Sequence, residues 1–213
     1  VNDVWAAGPP LPEARASGAL VRHGRNLHYI GGLEADRDTD SAAHWTLNLD
    51  NPLAWEVAPD LPDARNHMQA TTVGEYIYVV GGQFNHDTNP IDLPFVHAFN
   101  VTTNTWEQRA NLPTARSHFE PGTFTLNERV IGVGGRNNQV AQDILQDLLE
   151  YNPLTDTWRV LGTLPEPRIA AVANVIGSTL VVTNGGLDYN IGRQTTWIAP
   201  ISLVCPNAVV EAP

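Results

Sequence analysis

Apolar residues in this chain fall in short runs at a period of two, and turn formers separate the runs. One set comprises Ala19-Leu20-Val21, Ala70-Thr71-Thr72-Val73, Thr123-Phe124-Thr125-Leu126 and Val172-Ala173-Asn174-Val175. A second set follows within a few residues: Leu27 to Ile30, Tyr76 to Val80, Val130 to Val133 and Leu180 to Val182. A third comprises Trp45 to Leu49, Val96 to Phe99, Leu148 to Tyr151 and Thr196 to Ile198. The runs are rich in β-branched and aromatic residues and too short for helices, so they predict buried strands. Polar turns such as Asn100 to Asn104 and Asn152 to Asp156 lead from each third run to a tryptophan that opens a fourth. The pattern predicts units of about fifty residues, each of four short antiparallel strands. The stretch from Val140 to Glu150 has some helical character, but its end reads as strand.

Four anchors recur in the same order in every unit. Tryptophan stands at Trp5, Trp55, Trp106 and Trp158, with steps of 50, 51 and 52. Leu-Pro follows at Leu11-Pro12, Leu61-Pro62, Leu112-Pro113 and Leu164-Pro165. Three residues after each proline comes Arg15, Arg65, Arg116 or Arg168. Diglycine then ends the second strand, read as Gly31-Gly32, Gly81-Gly82, Gly134-Gly135 and Gly185-Gly186. An internal repeat of four-stranded units at this spacing points to an all-β propeller.

This motif set closely resembles the kelch repeat, over residues 4 to about 201. The resemblance implies a kelch-type β-propeller that forms part of a larger one, with repeats at about 4–54, 55–105, 106–157 and 158–201, and a tail or linker at 202–213. It implies that the first strand of each blade lines a central channel and that the tryptophan strand is outermost, its indole packed between blades. The fourth repeat departs from the pattern: no tryptophan follows Ile201, and Val204-Cys205-Pro206 stands where a fourth strand should begin. Val4-Trp5-Ala6 reads as an orphan outer strand that could pair with the strand around Trp197 and close a ring. The expectation is that it does not, and that further blades or another subunit cover the end faces.

Composition narrows the function. The formal net charge of −11 gives no basic footprint for duplex nucleic acid. No apolar run is long enough to span a membrane. One cysteine, Cys205, permits neither an internal disulfide nor a CxxC zinc site. It also lies far from any tyrosine, the nearest in sequence being Tyr189, which argues against copper chemistry of the galactose-oxidase type. All twelve bases are arginine. A lysine-free acidic chain suits an extracellular or secreted protein, GC-rich codon usage being the alternative, and Asn100-Val101-Thr102 is a glycosylation sequon in a turn.

Candidate chemistry gathers at one mouth of the expected channel. Arg15, Arg65, Arg116 and Arg168 would form an arc there and make a local anion site, or else tie each blade to its neighbour. Arg65-x-His67 and Arg116-x-His118 would each place two side chains on one strand face, with Glu120 beside His118. The variable loops after the diglycines open on the same mouth and bring His86 and Asn137, with further aromatic, amide and carboxylate groups. Asp36-x-Asp38-x-Asp40 is a weak metal candidate, lacking the glycine and closing acid of a calcium loop. No cofactor is expected. The resulting expectation is a binding module that takes a protein segment or glycan at Arg15, Arg65, His67, His86, Arg116, His118, Glu120, Asn137 and Arg168. Two alternatives stand beside it: a carbohydrate-active enzyme with His118 or Glu120 as base, and a structural component of an extracellular assembly.

Overall fold

A computed structural model describes residues 4–140 and 143–201. The first sheet holds β1 (Ala19–His23), β2 (Asn26–Ile30), β3 (His44–Asn48) and β4 (Glu56–Ala58) in sequence order. The second holds β5 (Gln69–Val73), β6 (Tyr76–Val80), β9 (Val96–Asn100) and β10 (Thr105–Gln108). The loop between β6 and β9 carries a small hairpin, β7 (Gln83–Phe84) with β8 (Ile91–Asp92). The third holds β11 (Thr123–Leu126), β12 (Arg129–Val133), β13 (Asp147–Asn152) and β14 (Thr157–Thr163). The fourth has three strands: β15 (Val172–Ile176), β16 (Thr179–Thr183) and β17 (Thr196–Pro200). Every pairing is antiparallel, and the repeat read from the sequence is the repeat of the fold.

The four sheets are propeller blades. Their first strands are neighbours, β1 against β5, β5 against β11 and β11 against β15. Apolar side chains fill the space between successive sheets. Ile30, Met68, Ile77 and Phe99 lie between the first and second blades, and Val80, Phe119, Leu149 and Tyr151 between the second and third. Burying each of these large side chains contributes about 1.5–3 kcal/mol. His28 and His44 share the first of these layers. His44 Nδ1–H donates to the Pro59 carbonyl, and His28 Nδ1–H donates to His44 Nε2 at 2.9 Å. Burial holds both imidazoles neutral, with pKa values lowered to about 4.

The tryptophans join each blade to the repeat before it. Trp55 donates its indole N–H to the Pro9 carbonyl, Trp106 to Pro59 and Trp158 to Ala110, and all three rings are half-buried. Each acceptor stands two residues before a Leu-Pro pair, so one contact recurs three times. Trp5, expected as the fourth equivalent, is 97% exposed, and no earlier repeat offers it a carbonyl among the described residues. Residues 4–6 form no strand, and β17 pairs with β16 alone. The ends of the described chain are therefore not joined in one blade. Cys205 and the 202–213 tail lie outside the described residues.

The glycines carry one correction of register. Gly81 has φ +61°, and a Cβ there would come 2.5 Å from the Arg116 carbonyl of the next blade; Gly31 and Gly134 meet Arg65 and Arg168 in the same way. In the fourth blade the bridge Ile169↔Gly186 corresponds to Ala16↔Leu33, Asn66↔Gln83 and Ser117↔Arg136. The structural pair there is consequently Asn184-Gly185, at φ +55° and +77°, and not Gly185-Gly186. No following blade crowds Asn184 among the described residues, so a side chain fits, and its Oδ1 accepts the Val172 N–H.

Candidate functional site at the channel mouth

The segment between each Leu-Pro and the next first strand is not extended. Ser17, His67, His118 and Ala170 occupy equivalent positions with φ of 53°, 47°, 53° and 53°. The left-handed turn separates each arginine from the residue two positions on and aims the two side chains differently. The strand geometry expected for Arg-x-His is therefore corrected: the arginine goes inward and the histidine goes to the mouth.

Arg65, Arg116 and Arg168 are each 0% exposed, so they do not form a solvent-facing anion arc. Arg65 Nε–H donates to the Gly81 carbonyl at 2.8 Å, Nη1 to the Asp63 carbonyl, and Nη2 to His97 Nδ1 at 3.2 Å. Burial lowers its pKa to about 10, which leaves it charged. Arg116 donates to the Gly134 carbonyl and grips both Asp147 oxygens, at 3.1 and 2.9 Å. Arg168 donates to Glu166 and Thr195 and lies 4.3 Å above the Trp197 ring. Arg15, with a side chain 5% exposed, pairs with Glu13 and covers Trp45. In each case the side-chain bonds are made within its own blade, although the buried Nε of Arg15 and of Arg168 has no partner among the described residues. The backbone beside it is used as well: the Arg65, Arg116 and Arg168 carbonyls accept the N–H groups of Gly32, Gly82 and Gly135 from the preceding blade. These arginines hold the propeller together.

The histidines are placed otherwise. His67 and His118, from successive blades, stack with ring centroids 4.0 Å apart and planes 20° apart. His86, from the loop after β7, stacks on His67 at 5.2 Å. Tyr189, 61% exposed, meets the edge of His118 at 5.4 Å. Arg136 bonds the Tyr189 hydroxyl and lies over its ring. The sequence expectation for His67, His86 and His118 thus places them in one cluster, across two blades and a loop.

Each imidazole is fixed through Nδ1. His67 Nδ1–H donates to Glu120 Oε1 at 2.9 Å, and His86 Nδ1–H donates to Asp87 Oδ1 at 2.7 Å. His118 Nδ1–H donates to Ser117 Oγ at 2.6 Å, while the Ser117 hydroxyl donates to Asp92 Oδ1 at 2.5 Å. Glu120 sits in the short 3-10 turn Glu120–Gly122 and serves His67 of the preceding blade, not His118 beside it in sequence. Desolvation, followed by the neighbouring His67, Arg136 and His86, lowers the His118 pKa to about 3.

Two other expectations are redirected. Asn137 is buried, and its Oδ1 accepts the Gln139 N–H within its own loop. The three aspartates of the weak metal candidate turn to separate partners. Asp36 accepts from Asp38, Thr39 and the Thr39 hydroxyl; Asp38 accepts from Thr88; Asp40 accepts from Asn66 and Asn85. No group of three such ligands converges on a metal position among the described residues. The sequence reading missed Ser117 and Asp92, because the bond joining them spans 25 residues and no local motif marks it.

Comparison with known proteins locates this architecture. A family profile described as the KLHDC2/KLHL20/DRC7 Kelch-repeats domain matches residues 4–186. Kelch-like protein 33 of Homo sapiens is 31% identical over 176 residues, covering 76% of this chain and 32% of its own. Beta-scruin of Limulus polyphemus is 29% identical over 178 residues, covering 78% of this chain and 18% of its own. Kelch domain-containing protein 10 of Homo sapiens is 27% identical over 198 residues, covering 90% and 43%. The chain therefore spans less than half the length of these relatives. A solved structure titled "Structure of YjhT" superposes with a TM-score of 0.77 at 19% identity, covering 92% of this chain and 65% of that one.

Proposed function

The chain belongs to the kelch-repeat family, and on that premise we propose that its propeller is a protein-interaction module that takes a partner segment at the mouth built by His67, His86, His118 and Tyr189. The observation that carries this reading is the break in fourfold symmetry. The buried arginine recurs in every blade, whereas the left-handed position beside it is Ser17, His67, His118 or Ala170. Two adjacent blades place imidazoles there, and variable loops extend the cluster with His86 and Tyr189. Amphipathic rings on a rigid frame give contact area and hydrogen bonding at low entropic cost, which suits recognition.

Base chemistry at His118 or Glu120 gains no support from this geometry. An imidazole with a pKa near 3 is a weak proton acceptor at neutral pH, and Glu120 is committed to His67. The reading is tested with an array of random-sequence peptides probed with the whole chain. Binders are expected whose signal is lost in His67→Ala/His118→Ala and kept in Asp50→Asn, in the β3–β4 turn at the other end of the blades. Binders indifferent to the double variant, or none at all, overturn it.

A further inference from the structure

One of the two expectations for the arginines made the mouth an anion site; its hydrogen bonds give it the opposite polarity. A carboxylate can only accept, so His67 and His86 carry their protons on Nδ1. The single Ser117 proton goes to Asp92, so Ser117 accepts from His118, and that proton is also on Nδ1. In its neutral form each ring is locked in one tautomer, with Nε2 a bare lone pair. None of the three Nε2 atoms has a partner among the described residues, and none is among the buried unpartnered atoms. Three acceptors therefore stand side by side at the surface. Stacking with planes 20° and 24° apart keeps the three lone pairs in separate, nearly parallel planes, which disfavours a shared metal ion.

The surrounding charge has the same sign. The four loops at residues 33–44, 83–94, 136–147 and 187–194 hold nine carboxylates against three arginines. The arginines that would have offset them are internal to the blades. The mouth also shows how it holds a guanidinium. Arg136 lies 5.1 Å over the Tyr189 ring, 4.0 Å from Asp92, and Arg37 pairs with Asp87 at 3.1 Å.

We propose that the mouth selects a cationic, donor-rich peptide segment, one bearing arginine or lysine, whose N–H groups bond the Nε2 atoms of His67, His86 and His118 and whose charge is met by Glu120 and Asp87. This rests on the interaction reading above and assigns the chemistry of the partner. Neutral imidazole accepts from ammonium and guanidinium.

The test uses fluorescein-labelled peptides of equal length, rich in arginine, lysine, glutamate or serine, with affinity read by polarisation. The arginine peptide is expected to bind best, and raising salt from about 0.05 to about 0.5 M should weaken it markedly. Glu120→Gln and Asp87→Asn should each weaken it roughly tenfold, as befits a lost hydrogen bond to a charged group. His67→Ala should do likewise, whereas Asp50→Asn should leave affinity unchanged. Should the peptide array yield mouth-dependent binders that are acidic or uncharged, the charge assignment is overturned and the interaction reading stands. Basic peptides that bind equally well to the mouth variants overturn this site, and no mouth-dependent binder of any kind overturns both.

Discussion

Arg65 and His67, like Arg116 and His118, stand two residues apart, and the fold gives them opposite tasks. The arginine side chains are fully enclosed, and their donors are spent on Gly81, Gly134, Asp63 and Asp147. The histidines, turned outward by a left-handed residue, keep one ring nitrogen open. In a repeat protein, a position filled identically in each unit serves the contact that each unit must make. The neighbouring position, filled differently, is released from that contact and is free to recognise something else.

The sharpest way to break this comparison is to remove a framework arginine. Arg116→Ala leaves Asp147 uncompensated and a void beside Phe119, so a loss of about 3–5 kcal/mol is expected in urea denaturation. Arg116→Lys should recover only part of it, because an ammonium cannot grip both carboxylate oxygens. A loss below about 1 kcal/mol for Arg116→Ala would show that the buried fork is dispensable.

Acid should act next, through the imidazoles enclosed between the first two blades. His28 and His44 have pKa values lowered from 6.5 to about 4 in the folded chain. Between those values the unfolded chain binds more protons, so stability present above about pH 6.5 is lost as pH falls toward 4. Denaturation midpoints measured across this window should fall, and His44→Phe should flatten the dependence. An unchanged slope in that variant would assign the acid sensitivity to groups other than His44, such as His97, His118 or the carboxylates.

Gly81→Ala tests the blade junction. It places a Cβ against the Arg116 carbonyl at positive φ, and should cost about 1–3 kcal/mol. The equivalent change in the fourth blade, Asn184→Gly, should move stability by less than about 1 kcal/mol. Equal costs at the two sites would remove the steric account of the diglycine.

The smallest stability effect belongs to the mouth. His67→Ala removes a ring that touches His118, His86 and Glu120 at the surface, and should lower stability in urea denaturation by less than about 1 kcal/mol while weakening peptide binding roughly tenfold. A large loss of stability there would place His67 with the arginines, as framework.

The blade pattern was legible in the sequence because it is local. Alternation of apolar residues, a fifty-residue period and a tryptophan with Leu-Pro after it are properties of short windows, and the predicted strands from Ala19 to β17 are present, whereas the one read at Val4-Trp5-Ala6 is not. The mouth was half legible. His67 and His118 stood out as departures between otherwise equivalent repeats, and His86 as part of a variable loop. Their tautomers were hidden, because those depend on Glu120, Asp87 and the Ser117–Asp92 bond, two of which cross between blades or loops. The role of the arginines stayed open between an anion site and a structural tie for a related reason. Charge composition counts a guanidinium wherever it lies, and only the packing of one blade on the next says whether it meets solvent.

The sequence by itself determined the repeat and the run of four strands in each unit, since both follow from side-chain periodicity and turn chemistry, and its motif set carried the resemblance to the family. Tertiary structure decided which residue of each Arg-x-x triplet faces out, that Asn184 replaces the first glycine where no following blade crowds it, and that an arginine-marked mouth is lined with acceptors. The physical reason is that these outcomes depend on contacts between residues tens of positions apart, closed by a φ sign and by carbonyls from a neighbouring blade.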